Sequence, residues 1–204
     1  MVELTYHSDA TRLNASPSLG VFVGRQRDMT GLRTVLDDAI SGQGRMVMLT
    51  GEPGIGKTRV AQELAGAAES QGMRVFWGCC YEGLGALPFW PWVQPIREYV
   101  QQADPETLRS EMGPGAADIA AIIPEVTAKL PGLEEAPQLD PDQARFRLFN
   151  SIATFLKNSA ASNPLALVLD DLHWADRSSL HLLEFLVKET VGVQRCWDTF
   201  KGRT

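Results

Sequence analysis

The chain has 204 residues, 44% of them hydrophobic and 22% charged, enough apolar material for the core of one soluble globular domain. Its 19 Lys and Arg against 25 Asp and Glu leave a net charge of −6, which excludes a domain-wide cationic surface for a polyanionic duplex, so no direct nucleic-acid partner is expected. The cysteines Cys79, Cys80 and Cys196 fit neither a disulfide framework nor a CxxC spacing, and no apolar run approaches the roughly 20 residues that span a bilayer; a cytoplasmic protein with no membrane partner is the expectation.

Residues 1–20 mix charged and hydroxyl side chains with no continuous apolar stretch, and read as a flexible leader, not a secretory signal. Met29, Leu32, Leu36 and Ile40 then recur at helical spacing, and Ser41-Gly42-Gln43-Gly44 stops that helix. Met46-Val47-Met48-Leu49 predicts a strand that ends at Thr50 and runs straight into a glycine-rich loop, after which residues 58–68 have helix-forming composition. A second strand is predicted over residues 73–77, and the spacing between the two leaves room for one crossover helix, so the sheet is expected to be parallel.

The texture changes over residues 81–140, where Pro and Gly are frequent and Phe89, Trp90 and Trp92 cluster; an irregular, partly helical insertion is predicted, with a short helix over 116–123. Over residues 141–158, Phe146, Phe149, Ile152 and Leu156 line one helical face, and Asp140-Pro141 supplies a cap and a first-turn proline. The run Leu165-Ala166-Leu167-Val168-Leu169 is unbrokenly apolar, as in a strand buried on both faces, and it ends in the carboxylates Asp170-Asp171. A last helix is predicted over 178–189.

The loop Gly51-Glu52-Pro53-Gly54-Ile55-Gly56-Lys57-Thr58 fits the spacing Gly-x-x-x-x-Gly-Lys-Thr. That spacing curls successive backbone N–H groups inward around a phosphate, in dihedrals that only glycine adopts freely. All eight residues, with Arg59 beside them, are the expected nucleotide contacts. Lys57 supplies a charged donor to the β and γ phosphates, in a catalytic role as well as a binding one. Thr58 offers its hydroxyl to Mg²⁺, and the following helix presents its positive end. A chance glycine-rich turn is the competing explanation; the position between a strand and a helix speaks against it.

In a parallel sheet, Asp170 and Asp171 lie beside this loop at the carboxyl edge of the strands. Asp170 is then the second Mg²⁺ ligand, and Asp171 the carboxylate that orients or deprotonates an attacking water. Taken alone, acidic residues after an apolar strand also serve as helix caps or loop solubilisers. The nucleotide expected is ATP, since a GTPase needs an Asn-Lys-x-Asp base-reading segment and the chain has none.

Phe22-Val23-Gly24-Arg25, the GEPGIGKT loop and Leu169-Asp170-Asp171-Leu172-His173-Trp174-Ala175-Asp176 together resemble the ATPase domains of the STAND and AAA families. With the Pro-Phe-Trp-Pro-Trp core of residues 83–93, the resemblance is strongest to the origin-recognition-like AAA ATPase domain of large bacterial regulators, and it covers residues 21–189. It implies an α/β fold, a three-layer P-loop NTPase sandwich with a mostly parallel sheet. It also implies that Val23 and Arg25 lie against the adenine, although the residues by themselves equally suit a core valine and a surface charge at a helix start. For His173, Trp174 and Asp176 no catalysis is expected; Asp176 suits a cap of the last helix and Trp174 packing under the sheet. Phe89, Trp90 and Trp92 read as a staple fixing the insertion to the core, or as a partner-binding patch, and Arg145 and Arg147 as solvated.

Members of those families continue from the acidic strand and its helix into a strand bearing a polar sensor residue, which lies between the loop strand and the acidic strand. Residues 191–204 do not resemble it, so the organisation expected is a leader over 1–20, an ATPase domain over 21–190 that is incomplete at its C-terminal end, and an atypical tail. Residues 191–200 either substitute for the missing strand or leave the sheet poorly stable. The resemblance implies an ATP-binding conformational switch in signalling or transcriptional regulation, acting with a protein partner or by self-association, with slow or impaired hydrolysis. The alternatives are a non-hydrolysing interaction module and a small-molecule P-loop kinase.

Overall fold

Three of the four apolar positions predicted at helical spacing bury one side of α1 (Gln26–Ile40): Met29, Leu32 and Leu36 face inward, while Ile40, at the end of the helix, stays 40% exposed. The computed structural model describes residues 26–82, 88–134, 136–137, 139–191 and 199–201. β1 (Met48–Thr50) starts two residues later than the apolar run that predicts it, and leads through the glycine loop into α2 (Lys57–Ser70). β2 (Arg74–Cys79) extends beyond the predicted strand because its ladder with β3 (Leu165–Asp170) continues to the end. The two run parallel, with Arg74 opposite Leu165 and Cys79 opposite Asp170.

β1 has a different partner. It pairs in parallel with β4 (Thr199–Lys201), Met48 standing opposite Thr199 and Thr50 opposite Lys201. The described residues therefore form two two-stranded sheets, β1 with β4 and β2 with β3, both parallel as expected. The tail thus contributes a strand to the loop strand β1.

Helices cover the strands on both sides because successive strand residues point to opposite faces. On one side Val47 and Leu49 pack with Met29, Leu32 and Val60, and Val75 and Ala166 pack with Leu36, Ala68 and Met73; Leu64 of α2 touches both groups. On the other side Phe76 and Leu165, Leu167 and Leu169 join the large core built by the later helices. β3 packs on both faces, as its composition suggests, yet is only half-buried at every position, since among the described residues β2 alone pairs with it and its other edge has no strand beside it.

The segment predicted to be irregular is mostly helical: α3 (Trp90–Gln102), α4 (Pro105–Met112), α5 (Ala116–Ala120) and α6 (Glu125–Lys129), with a 3₁₀ turn at Gly113–Gly115. Its prolines and glycines punctuate helices; they do not prevent them. Pro105 opens α4 behind Asp104, whose carboxylate accepts from the amides of Glu106 and Thr107 at 3.1 and 2.9 Å, and Gly113 ends it at φ 54°. Leu108, Met112, Ile119, Ile123, Val126 and Leu130 are fully buried in one core, in which α4 and α5 pack against α7 (Pro141–Ser162) and α6 packs against α3 and α5. α7 begins as predicted, with Asp140 capping Asp142 and Gln143. Phe149, Ile152 and Leu156 face the core, but Phe146 is 61% exposed, because the first turn and a half of α7 overhangs the core and Phe146 only meets the edge of Phe185. α8 (Arg177–Val191) closes the described fold before β4.

Candidate nucleotide site

β1 ends at Thr50, and the chain passes through Gly51 at φ 149°, Gly54 at 78° and Gly56 at 91° before α2 begins at Lys57. At all three a Cβ is strained, and at Gly51 it would also stand 3.2 Å from Ile55 Cγ2. Gly56 is the N-cap of α2 and has no side chain with which to accept from the first turn, and that turn carries no acidic residue. The first-turn amides of α2 and the positive end of its dipole are thus offered to an outside anion and not to a local carboxylate. Lys57 folds back over the loop, its Nζ donating to the carbonyls of Gly51 and Glu52, each at 3.0 Å.

The other expected contacts of the loop and of the first turn of α2 adjoin this seat in the chain. Glu52, Pro53, Gly54, Ile55 and Thr58 are exposed, Ile55 to 47%, and the Thr58 hydroxyl belongs to the first turn of α2. Arg59 pairs with Glu63 one turn on, at 2.6 Å. Val23 and Arg25 lie outside the described residues. Backbone curl, a lysine ammonium and an uncapped helix start suit a polyphosphate, and Thr58 supplies the kind of hard oxygen donor that Mg²⁺ takes.

Asp170 is the last residue of β3, and its carboxylate accepts from the Asp171 amide at 3.0 Å. Asp171 is left-handed, at φ 55° and ψ 38°, a conformation that Asp tolerates better than most residues. Its carboxylate is 47% exposed and stands 3.9 Å from His173 Nδ1. The carboxylates set the field around the neighbouring strand end. Burial first, then Asp170 and Asp171, raises the Cys79 thiol pKa; burial, then Cys79 and the carboxylates, pushes that of Cys80 up to about 11. Both cysteines are free and protonated.

Beyond the acidic pair lies an arrangement that sequence reasoning grasped only in part. A 3₁₀ turn, Leu172–Trp174, leads to Asp176, which does cap α8: its Oδ1 accepts from the Ser179 amide at 3.0 Å. The other oxygen accepts from the Phe89 amide at 3.1 Å and from the Ser179 hydroxyl. Trp92 donates its indole N–H to the Ser179 carbonyl at 3.2 Å. Phe89 and Trp92 are buried, as a staple requires, and Trp90 carries the Arg97 guanidinium over its ring at 5.9 Å. Trp174 does not pack under the sheet; it is 43% exposed and leans on the His173 ring, because the 3₁₀ turn carries it outward.

Gly78 and Gln94 were missed. Gly78 lets β2 approach the Pro91 carbonyl, and the Gln94 side chain accepts from the Cys79 amide at 3.0 Å, so α3 covers the edge of β2 next to the acidic pair. A glycine inside a strand, one residue before its end, is the available signal. Arg145 pairs with Asp142 in solvent, whereas Arg147 is not simply solvated: it binds the half-buried carboxylate of Asp118. Among the described residues no group of three or more His, Cys, Asp or Glu forms a metal cage. Nor is any described helix long and apolar enough to cross a membrane.

The chain is 23% identical over 177 residues to an uncharacterized protein of Rhizobium meliloti (strain 1021); the match takes in 80% of this chain and 17% of that relative. No solved structure matches it significantly. The family model described as AAA ATPase domain matches residues 21–196, taking in the glycine loop, the acidic pair and the helices between them, and the chain belongs to that family of ATP-binding P-loop ATPase domains.

Proposed function

We propose that this domain is a nucleotide-dependent switch of the STAND, origin-recognition-like kind, which binds ATP with Mg²⁺, hydrolyses it slowly and serves a larger regulatory protein. The observation that carries the reading is the pair of hydrogen bonds that Lys57 Nζ donates to the carbonyls of Gly51 and Glu52. A phosphate arriving at the first turn of α2 competes for that ammonium. Taking it releases both carbonyls, so the loop has two arrangements and the ligand distinguishes between them.

In this proposal the loop from Gly51 to Thr58 and the adjacent Arg59 hold the phosphates, with Val23 and Arg25 at the base. Lys57 offsets the charge that develops on the γ phosphate. Mg²⁺, when bound with the nucleotide, neutralises phosphate charge; Thr58 and Asp170 are the oxygen donors this chain offers it. Asp171 orients the attacking water. Its 47% exposure leaves it screened by solvent, which weakens its hold on a water and supports slow turnover. The relative is several times longer than this chain, which supports a domain working within a large regulator.

A calorimetric titration with ATP, ADP and GTP, with and without Mg²⁺, together with phosphate release, tests this. ATP is expected to bind more tightly with Mg²⁺ and better than GTP, with turnover below about 1 s⁻¹, under the usual enzyme median of about 10 s⁻¹. Lys57→Ala is expected to weaken ATP binding by about 100-fold, a charge-assisted pair of contacts worth about 3 kcal/mol. Folded protein that gives no heat with ATP, or a Lys57→Ala variant of unchanged affinity, sinks the reading.

A further inference from the structure

The chain between the acidic pair and α8 is fixed at both ends. At its start Asp170 lies in the β2–β3 ladder, and its carbonyl accepts from the Cys80 amide at 3.1 Å. At its end Asp176 spends both carboxylate oxygens, on Ser179 and on the backbone of Phe89, 87 residues away in sequence. The residues between are wound tight: left-handed Asp171, then a turn closed by Trp174 N–H to the Asp171 carbonyl at 2.9 Å and Ala175 N–H to the Leu172 carbonyl at 3.0 Å. A tether this short has little slack, so a shift at either end reaches Asp171.

Helix capping explains the bonds to Ser179. It does not explain why the same carboxylate reaches across to the N-cap of another helix. Phe89 is itself left-handed, at φ 63°, which is unusual for a bulky aromatic residue and persists only where surroundings impose it. Asp176 supplies one of those constraints. Burial against the edge of Phe149, at 6.0 Å between ring centres, supplies another. The Trp92 indole bond to Ser179 ties the same two helix starts a second time.

We propose that Asp176 is a positioning residue of the ATPase site: it sets the loop that presents Asp171 and joins that loop to the first turn of α3, so that nucleotide state is passed to the aromatic start of the helical insertion. This rests on the ATP-switch reading above. Asp176 acts through other groups, so its loss should lower turnover and uncouple α3 while leaving the phosphate seat at Lys57 intact.

Hydrogen exchange read by mass spectrometry on the full chain, with and without ATP and Mg²⁺, tests it. In the unaltered protein nucleotide is expected to slow exchange in residues 51–60 and also in residues 88–93, the latter by about threefold or more. Asp176→Asn keeps the shape but turns one acceptor into a donor. It is expected to retain the protection at 51–60, lose that at 88–93, and lower kcat about tenfold or more with KM within about threefold. Protection at 51–60 alone in the unaltered protein overturns the proposal and leaves the ATP reading standing, and this arm needs no variant to fold. Coupling that survives in Asp176→Asn overturns it too. Absence of protection at 51–60 overturns the ATP reading, and the inference falls with it.

Discussion

Tyr99 shows how one side chain is held by several neighbours at once. Its hydroxyl donates to Glu111, the Arg74 guanidinium lies 4.5 Å above its ring, and Arg74 also bonds Glu111 and Ser159. Burial first, then the bond to Glu111, pushes the Tyr99 pKa up to about 12 from its ordinary 10. The folded state therefore keeps a proton that the unfolded chain gives up above pH 10. The stability this contributes is fully present below pH 10 and is lost as pH rises to about 12. Chemical denaturation between pH 9 and pH 12 should show that decline, and Tyr99→Phe should flatten it while leaving Glu111 short of a partner at neutral pH. A decline of equal steepness in the variant would assign the effect to another group.

Between β2 and α3 the contact is backbone to backbone. Pro95 has no N–H to give to the Pro91 carbonyl one turn before it, which leaves that oxygen turned toward the strand. A Cβ built on Gly78 stands 1.8 Å from the Pro91 oxygen and 2.7 Å from its carbonyl carbon, and neither can be moved without shifting the helix. Gly78→Ala should therefore cost about 3 kcal/mol, the upper end for overpacking, and move the denaturant midpoint accordingly. It should also raise exchange at the Cys79 amide, whose bond to Gln94 depends on the same approach. A midpoint within error of the unaltered protein would show that α3 rides on β2 more loosely than this contact implies.

At the scale of the whole molecule, the insertion shares one core with the β2–β3 sheet. Buried residues of α3, α4, α5 and α6 form a continuous cluster with Phe76 of β2, with Phe149, Ile152 and Phe155 of α7 and with Leu182 of α8. An appended module would melt separately; a shared core makes it part of the same cooperative unit. Ile119, fully buried in α5, is far from the glycine loop in sequence, yet Ile119→Ala should lower global stability by about 2–5 kcal/mol in a single transition. Two calorimetric transitions, with only one displaced by the substitution, would contradict this.

Much of the candidate site's local backbone is legible in the sequence because its geometry is local. The glycine spacing dictates positive-φ turns, Lys57 and Thr58 follow the last glycine, and Asp170 ends an apolar strand, all within windows of a few residues. Asp140 as the cap of α7 was legible for the same reason. Other features depend on partners distant in the chain: the span of Asp176 to Phe89, the approach of Gly78 to Pro91, the outward turn of Trp174, and the pairing of β1 with β4. Prolines and glycines of the insertion suggested irregularity from composition alone, and only packing against α7 shows that they separate short buried helices. Local sequence determines which backbone shapes and charges are available; which of them meet is decided by tertiary contacts, whose energies depend on surfaces no short window contains.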